Sequence, residues 1–265
     1  MFIKIIKNIV KYFRLSGINI VQFVNVLRGI PSFIGDYIQL KKELDKTLFP
    51  IELYPILDDK YKQGGTAKGH YFHQDLVVAK KIYNANPKKH IDIGSRVDGF
   101  VAHLAVFREV VIIDIRDLTS QTENIEFQQA NMIDMKDDLY NSCSSLSSLH
   151  ALEHFGLGRY GDPIDVNGHL KGFNNMYNIL QESGVFYFSV PIGRQRIEFN
   201  AHRVFSIKYL LEMFEDKFDI IDFSFVDDKG DLNEHITLND ELIETDCACH
   251  YGCGIFELRK KSKDD

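Results

Sequence analysis

The sequence contains no tryptophan, only four cysteines and six prolines, and no apolar run long enough to cross a membrane. A transmembrane helix needs about 20 consecutive apolar residues. Four cysteines, three of them near the C-terminus, are too few and too clustered for the disulfide scaffold of a secreted protein. Charges interrupt the apolar stretches at the N-terminus, and no cleavage site of small residues follows, so a signal peptide is not indicated. We therefore expect a cytoplasmic protein.

Positive charge is also scarce, because 31 lysines and arginines face 38 aspartates and glutamates, which gives a formal net charge of −7. Proteins that bind nucleic acids need a basic surface, and many also stack bases on aromatic side chains. The acidic balance and the lack of tryptophan argue against a nucleic acid as partner or substrate. The hydrophobic fraction of 45% and the charged fraction of 26% are those of an ordinary globular protein.

The N-terminal segment departs from this acidic balance. Residues 1–30 contain no acidic residue and five basic ones, Lys4, Lys7, Lys11, Arg14 and Arg28. The first four recur at helical spacing opposite an apolar side, which predicts a basic amphipathic helix. Such a helix packs on its own domain or on a second subunit of a homodimer, or it binds an anionic membrane surface or a membrane-bound assembly. We favour the packed arrangement, and both remain open.

The pattern of breakers divides the chain into three segments. Residues 1–69 are predicted to form an N-terminal helical extension and a connector, in which Pro31, Pro50 and Pro55 act as helix breakers. Residues 70–259 form the main domain. Residues 260–265 are expected to be a frayed tail.

Apolar runs of strand length alternate with helical patterns in the main domain. Strands are predicted at 90–93, 110–115, 143–149, 184–190, 218–225 and 254–259, and helices at 75–83, 99–108, 170–182 and 207–214. This order predicts an α/β fold, a doubly wound, Rossmann-like, mostly parallel sheet with helices on both faces.

The turn after the first predicted strand lies in the segment IDIGSRVDGF, residues 91–100. Ligands of open α/β sheets bind at the carboxyl ends of the strands, where a glycine lets the backbone approach closely. About twenty residues after Gly94, Asp114 ends the second strand, where a carboxylate can accept hydrogen bonds from both hydroxyls of a ribose. A triphosphate site would need Lys-Ser or Lys-Thr after the glycines, and a dinucleotide site would need Gly-x-Gly-x-x-Gly. Neither motif is present.

Five segments together resemble class I S-adenosylmethionine-dependent methyltransferases. Residues 91–94 resemble the first motif of that superfamily, 111–114 the second, and 130–132 the third, which flanks adenine. Residues 149–154 resemble the end of the fourth strand, which carries a similar Leu-Glu-His, and 184–191 resemble the strand after the following helix. The resemblance covers about residues 70–259 and implies methyltransferase activity with S-adenosylmethionine as the cofactor.

The residues that we assign to the cofactor follow from these motifs and from the segment before the first strand. They are Asp92, Gly94, Ser95, Arg96, Gly99, Asp114, Ile115, Asn131, Met132, Tyr71 and Gln74. Residues 156–163 further resemble a group of bacterial methyltransferase-like proteins of unknown function that are associated with surface-carbohydrate biosynthesis. That second resemblance implies O-methylation of a sugar or nucleotide-sugar hydroxyl, as in capsular polysaccharide.

A hydroxyl acceptor benefits from a general base, and histidine is the usual candidate near neutral pH. His150 and His154 follow the fourth predicted strand, and His202 follows the fifth, so all three are expected at the carboxyl edge of the sheet. We rank His154 first, then His202, then His150. Glu153 either orients a histidine or caps a turn.

The acceptor is expected at the polar, glycine-rich loop of residues 156–168, because long loops over a sheet edge are often functional. The residues assigned to the acceptor are His70, Arg159, Tyr160, Asp162 and Asn200. Two alternatives stay open. The acceptor could be lipid-linked or quinone-like and enter through the basic N-terminal helix, or the chain could be a degenerate module that kept the fold without the chemistry.

A cluster near the C-terminus offers zinc-type donors, namely Cys247, Cys249, His250 and Cys253. Three thiols and an imidazole could form a tetrahedral site. Only one residue separates Cys247 from Cys249, however, which is the wrong spacing for a structural zinc knuckle. We therefore predict buried apolar cysteines and no metal site.

Overall fold

A computed structural model describes residue 17 and residues 19–44, 49–135 and 139–262. The predicted basic helix at the N-terminus, with Lys4 to Arg14, lies outside the described residues. The chain divides into two compact units, Met1–Thr66 and Ala67–Asp265. Within the described residues, no helix is both long and apolar enough to cross a membrane.

The first unit contains the helix α1 (Ile20–Glu43), which begins where the Asn19 side chain accepts a hydrogen bond from the Gln22 amide at 3.1 Å. Pro31 lies inside this helix, so the prediction that Pro31 acts as a helix breaker was wrong. A proline removes one hydrogen bond of the helix. The carbonyl that loses its donor belongs to the exposed Leu27, where water can replace the missing amide.

The connector after α1 contacts the helix again. Gly29 faces the carbonyl of Leu57, and a Cβ at position 29 would lie 1.7 Å from that oxygen, so only glycine allows this contact. The Tyr61 hydroxyl donates to the Arg28 carbonyl at 3.3 Å. Several large apolar side chains of α1 stay exposed, namely Val21, Phe23, Val24, Leu27, Ile30, Ile34, Ile38 and Leu40.

The second unit is built on an eight-stranded sheet in the order β3-β2-β1-β4-β5-β10-β8-β9. The strands are β1 (His90–Ile93), β2 (Val110–Asp114), β3 (Ile125–Gln129), β4 (Cys143–Leu149), β5 (Leu180–Ile192), β8 (Phe218–Val226), β9 (Leu232–Asn233) and β10 (Gly252–Lys260). Strands β1 to β5 pair in parallel, whereas β10 is antiparallel to both β5 and β8. A separate hairpin joins β6 (Arg196–Glu198) to β7 (His202–Val204).

Helices cover both faces of the sheet. They are α2 (His70–Ala85), α3 (Ala102–Ala105), α4 (Gly168–Ile179), α5 (Ile207–Phe214) and α6 (Asp240–Glu244). One apolar cluster joins α4 and α5 to the sheet, through side chains such as Phe173 and Phe214. A second cluster joins α2 and α3 to it, through side chains such as Ile82 and Leu104. The predicted doubly wound α/β fold is confirmed.

Several boundaries differ from the predicted ones. Helix α2 begins at His70, five residues early, and the helix after β1 starts with a π-helical turn, Val97–Val101. Strand β5 begins at Leu180, inside the predicted helix, because α4 passes directly into the strand. Lys260 was assigned to the tail, but it is buried in β10, where its ammonium donates to the Tyr177 and Leu180 carbonyls.

The strand order places the ligand-binding edge. Strand β1 lies between β2 and β4, so the chain leaves β1 toward one edge of the sheet and later returns on its other side. Open α/β sheets bind ligands at such a switch point, outside the carboxyl ends of the strands. The segments after β1, β2 and β4 therefore border the ligand-binding edge.

Candidate functional site

The turn after β1 is fixed by a buried carboxylate. Asp92 accepts hydrogen bonds from the Ser95 amide at 3.0 Å, the Ser95 hydroxyl at 2.7 Å and the Ser147 hydroxyl at 2.5 Å. The Ser95 hydroxyl also accepts from the Leu149 amide at 3.0 Å, which joins the turn to the end of β4. Burial raises the pKa of Asp92 to about 6, although its hydrogen bonds from Ser147 and Ser95 act in the opposite direction.

Gly94 makes the turn possible. Its φ of +69° lies in the left-handed region, and its amide donates to the Ile113 carbonyl at 3.0 Å. A Cβ at this position would lie 3.0 Å from the Cβ of Ala151. The glycine therefore lets the turn pass close to the segment that follows β4.

A cavity of about 510 Å³ opens at the carboxyl ends of β1, β2 and β4. Eight of the residues assigned to the cofactor from sequence line it, namely Tyr71, Gly94, Ser95, Arg96, Asp114, Ile115, Asn131 and Met132. Of the candidates for the base and the acceptor, His150, His154, Tyr160 and Asp162 also line it. The described structure thus brings these predicted residues together around one space.

Three other residues assigned to the cofactor lie behind the cavity wall rather than on it. Asp92 is fully buried, and both of its oxygens are engaged by the turn. Gln74 accepts from the Ser189 hydroxyl at 2.7 Å and is also buried. Gly99 lies in the π-helical turn, where a Cβ would meet Asp75. Their contacts support the wall instead of forming its surface.

Asp114 lines the cavity at the end of β2 and forms an ion pair with Arg116. Its Oδ1 accepts from the backbone amide of Arg116 at 2.8 Å and from Nε at 3.0 Å, and its Oδ2 accepts from Nη2 at 2.6 Å. The guanidinium of Arg116 also lies 4.5 Å from the ring centroid of Tyr160. Sequence reasoning missed Arg116, although its place two residues after Asp114 was the available signal.

His150, Glu153 and His154 form a charged cluster just after β4. Oε1 of Glu153 lies 2.7 Å from Nδ1 of His150 and 3.7 Å from Nε2 of His154, and the Glu153 side chain is only 1% exposed. Nε2 of His150 and Oε2 of Glu153 have no hydrogen-bond partner in the part of the chain that the structure describes. Glu153 therefore faces two histidines.

The two histidines titrate in opposite directions. Burial acts to lower the pKa of His150, but its interactions with Cys253 and Glu153 act in the opposite direction and outweigh burial, so this pKa is raised well above 6.5. Burial likewise acts to raise the pKa of Glu153, but His150 outweighs it and the pKa is lowered. For His154 burial prevails over the charge of Glu153 and lowers the pKa, so its ring is neutral at pH 7.

The hairpin of β6 and β7 sets the tautomer of His154. The Ala201 carbonyl lies 2.7 Å from Nδ1 of His154 and 3.0 Å from Nη1 of Arg159. Because a carbonyl only accepts, Nδ1 must carry the hydrogen, which leaves the lone pair of the neutral ring on Nε2. His202 is not on the cavity wall; its ring centroid lies 6.4 Å from that of His154, and burial lowers its pKa.

The predicted acceptor residues divide into two groups. Tyr160 and Asp162 reach the cavity, and Asp162 also holds its own loop by accepting from the Gly156 amide at 2.6 Å. Arg159, His70 and Asn200 are not on the wall of that cavity. Arg159 lies over the face of Tyr160, 5.1 Å from its ring centroid, and Asn200 is exposed in the turn between β6 and β7.

The C-terminal cysteines are all buried, but they do not gather with one another. Cys247 and Cys249 belong to the apolar cluster beside α5, whereas Cys253 belongs to the cluster beside α2. Cys253 instead lies near two histidines, with one ligand atom each of His70, His150 and Cys253 within 4.8 Å of one another. No sequence spacing indicated this group, because its members come from three separate elements.

Comparisons with known proteins agree with the fold. A family model described as "Caenorhabditis protein of unknown function, DUF268" matches residues 91–260. It gives no support to the bacterial carbohydrate-associated group that the sequence suggested. No curated protein matches the sequence.

Solved structures resemble this chain at low sequence identity. One is 1,6-didemethyltoxoflavin-N1-methyltransferase from Burkholderia thailandensis, which has 1,6-didemethyltoxoflavin and S-adenosylhomocysteine bound. The two chains are 14% identical with a TM-score of 0.50, and the match covers 71% of this chain and 79% of that chain. Another is the N-methyltransferase NodS from Bradyrhizobium japonicum with S-adenosylhomocysteine, with 11% identity, a TM-score of 0.50, and coverage of 73% and 89%. At these identities the likeness establishes a methyltransferase fold and nothing more specific.

Proposed function

The chain belongs to the DUF268 family, and from that starting point we propose that it is an S-adenosylmethionine-dependent methyltransferase acting on a hydroxyl of a small polar acceptor. The observation that carries the proposal is the cavity between the Gly94 turn and the Asp114 carboxylate. Its volume of about 510 Å³ suits a cofactor-sized ligand, since such sites measure roughly 300–1,000 Å³. The S-adenosylhomocysteine bound by two methyltransferases of the same fold adds support.

The wall residues fit this cofactor. When bound, S-adenosylmethionine supplies an electrophilic methyl group on a positively charged sulfur. Gly94 leaves room that a side chain would fill, and Met132 and Ile133 offer apolar surface to a base. Asp114 is the residue that we assign to the ribose hydroxyls, at the end of β2.

The contacts of Asp114 limit how it can bind a ribose. A carboxylate oxygen accepts about two hydrogen bonds. Oδ1 is already saturated by the amide and Nε of Arg116, whereas Oδ2 accepts only one bond, from Nη2. One hydroxyl can therefore bind beside Arg116, and the second can bind only if the guanidinium moves away from Asp114.

We assign the general base to His154. Its Nε2 carries the lone pair and belongs to a ring on the cavity wall, so it can accept the proton of an acceptor hydroxyl. The Nδ1–H stays on the Ala201 carbonyl and keeps the ring oriented. Glu153, 3.7 Å from Nε2, stabilises the imidazolium that forms.

We propose a sugar or nucleotide sugar as the acceptor. Tyr160 and Asp162 place a hydroxyl and a carboxylate on the cavity wall near His154, and both groups can hydrogen-bond a polyhydroxylated ligand. The assignment to surface-polysaccharide biosynthesis rests on the sequence resemblance alone.

Calorimetry with S-adenosylhomocysteine tests the proposal. We expect the wild type to bind it, and Asp114→Ala to bind about 10- to 100-fold more weakly, because hydrogen bonds to a charged group contribute about 1.5–3 kcal/mol. Glu126→Ala, on the neighbouring strand β3 and away from the cavity, is the control and should bind normally. Absence of binding by the wild type, or binding of NAD⁺ at the same site, would contradict the assignment. Methyl transfer to a panel of nucleotide sugars then tests the acceptor class separately.

A further inference from the structure

A buried group of two imidazoles and a thiol lies beside the cavity. His70 is the first residue of α2, His150 follows β4, and Cys253 lies in β10. One ligand atom from each residue lies within 4.8 Å of the others. The His70 and His150 rings stack with their centroids 5.2 Å apart. The fold thus brings three donors to one point from parts of the chain up to 183 residues apart.

His150 is oriented as metal-binding histidines are. Such a histidine usually donates one ring N–H to a carboxylate and binds the metal through its other nitrogen. Nδ1 of His150 lies 2.7 Å from Oε1 of Glu153, and the histidine side chain is only 3% exposed. Nε2 is buried and has no hydrogen-bond partner among the residues described. A buried polar atom without a partner is costly, and a cation would supply the missing partner.

The donor set selects the class of ion. Hard cations such as Mg²⁺ and Ca²⁺ prefer oxygen ligands, whereas imidazole and thiolate suit Zn²⁺. Tetrahedral zinc, with Zn–N of about 2.0–2.1 Å and Zn–S of about 2.3 Å, needs its donor atoms about 3.4–3.6 Å apart. Donors within 4.8 Å of one another can reach that spacing by side-chain movements of about 1 Å.

We propose that His70, His150 and Cys253 bind one zinc ion, with Glu153 orienting His150 and a fourth coordination position left open. Binding forms bonds from zinc to Sγ of Cys253 and to Nε2 of His150, and it releases the thiol proton and the Nε2 proton of the imidazolium to solvent. The same thiol donates to Oε1 of Gln74 at 3.5 Å in the metal-free protein, and zinc replaces that contact. Nε2 of His150 binds through its lone pair, while Nδ1–H stays on Glu153.

Two of the three residues line cavities of the second unit. His70 lines a smaller cavity of about 300 Å³, together with Tyr251 and residues 227–230. His150 lines the larger cavity. Three protein ligands with an open fourth position are typical of zinc sites that bind a water or a substrate rather than of purely structural ones. The zinc site does not depend on the proposed methyl transfer.

Cobalt substitution tests the zinc site on the full chain without S-adenosylmethionine. After treatment with a chelator, titration with Co²⁺ should give the absorption bands of tetrahedral cobalt and a thiolate-to-cobalt charge-transfer band, saturating at one equivalent, and Zn²⁺ should abolish both. Cys253→Ser should remove the charge-transfer band, and Cys249→Ser, a buried cysteine of the other apolar cluster, should keep it. Glu153→Gln should weaken binding about 10- to 100-fold, as loss of an orienting carboxylate does.

Two results would overturn the zinc site. One is the absence of a cobalt spectrum in the wild type. The other is a charge-transfer band that persists in Cys253→Ser or in His70→Gln. His70 is only partly buried, so His70→Gln should fold even if a substitution at the fully buried Cys253 does not, and circular dichroism checks both variants.

Discussion

Replacing Asp92 with asparagine is expected to make the stability of the protein less dependent on pH. Asp92 is fully buried between the turn after β1 and strand β4, and it accepts three hydrogen bonds there. Burial raises its pKa from 3.8 to about 6. The folded state therefore holds the proton of Asp92 more tightly than the unfolded state does, which makes folding stability depend on pH.

The sign and size of the effect follow from that pKa. A group with a raised pKa in the folded state contributes stability below its unfolded pKa, here 3.8, and this contribution is lost as the pH rises through about 6. One pKa unit corresponds to about 1.4 kcal/mol, so the full change is about 3 kcal/mol. Because the asparagine cannot ionise, the variant lacks this part of the pH dependence while sharing every other titrating group.

Urea unfolding followed by circular dichroism measures the difference. The free energy of unfolding of the wild type minus that of Asp92→Asn should fall by about 2–3 kcal/mol between pH 4 and pH 7. The new hydrogen bonds of the amide add a constant offset that cancels in this comparison. If the difference stays constant within about 0.5 kcal/mol, burial in the turn does not raise the pKa of Asp92.

Two further predictions concern the cavity. Gly94→Ala should lower the free energy of unfolding by about 1–2 kcal/mol, because the φ of +69° at Gly94 disfavours a side chain, and it should weaken binding of S-adenosylhomocysteine. The control is Gly35→Ala, in the interior of α1 with open space around it. It should raise the free energy of unfolding by up to about 1 kcal/mol. Normal stability and binding in Gly94→Ala would refute the role of the turn. His154→Gln should lower methyl transfer by about 10²-fold with unchanged cofactor affinity, and His202→Ala should lower it less. An equal loss of methyl transfer in both variants would show that His154 is not the general base.

Sequence patterns located the central strands because most of them contain short apolar runs, although β1 includes Asp92 and β4 includes four serines. Buried parallel strands read as continuous hydrophobic runs, as Val110–Asp114 does apart from its last residue. Strand β3 (Ile125–Gln129) escaped prediction because it lies at the edge of the sheet and mixes polar with half-buried apolar residues. The hairpin of β6 and β7 escaped for a similar reason, since its strands are three residues long and largely polar.

The sequence could locate the site more readily than the orientation of its side chains. Gly94 and Asp114 could be predicted at one edge because Gly94 follows β1 and Asp114 ends β2, and the carboxyl ends of these parallel strands meet there. Position alone did not show that Asp92 turns inward to hold the turn, or that Arg116 folds back onto Asp114. Those directions depend on contacts with β4 and with the loop that carries Tyr160, which are distant in sequence.

The place of β10 in the sheet has a consequence for synthesis of the protein on the ribosome. Strands β5 and β8 are both neighbours of β10, which is translated after every other strand of this sheet. Until β10 has left the ribosome, the edges of β5 and β8 that will face it carry unpaired amides and carbonyls. Such edges can pair with the strands of other nascent chains. The aromatic contact between Phe256 and Phe223, with ring centroids 4.7 Å apart, forms only after β10 has left the ribosome. Completion of the sheet must therefore await the arrival of residues 252–260.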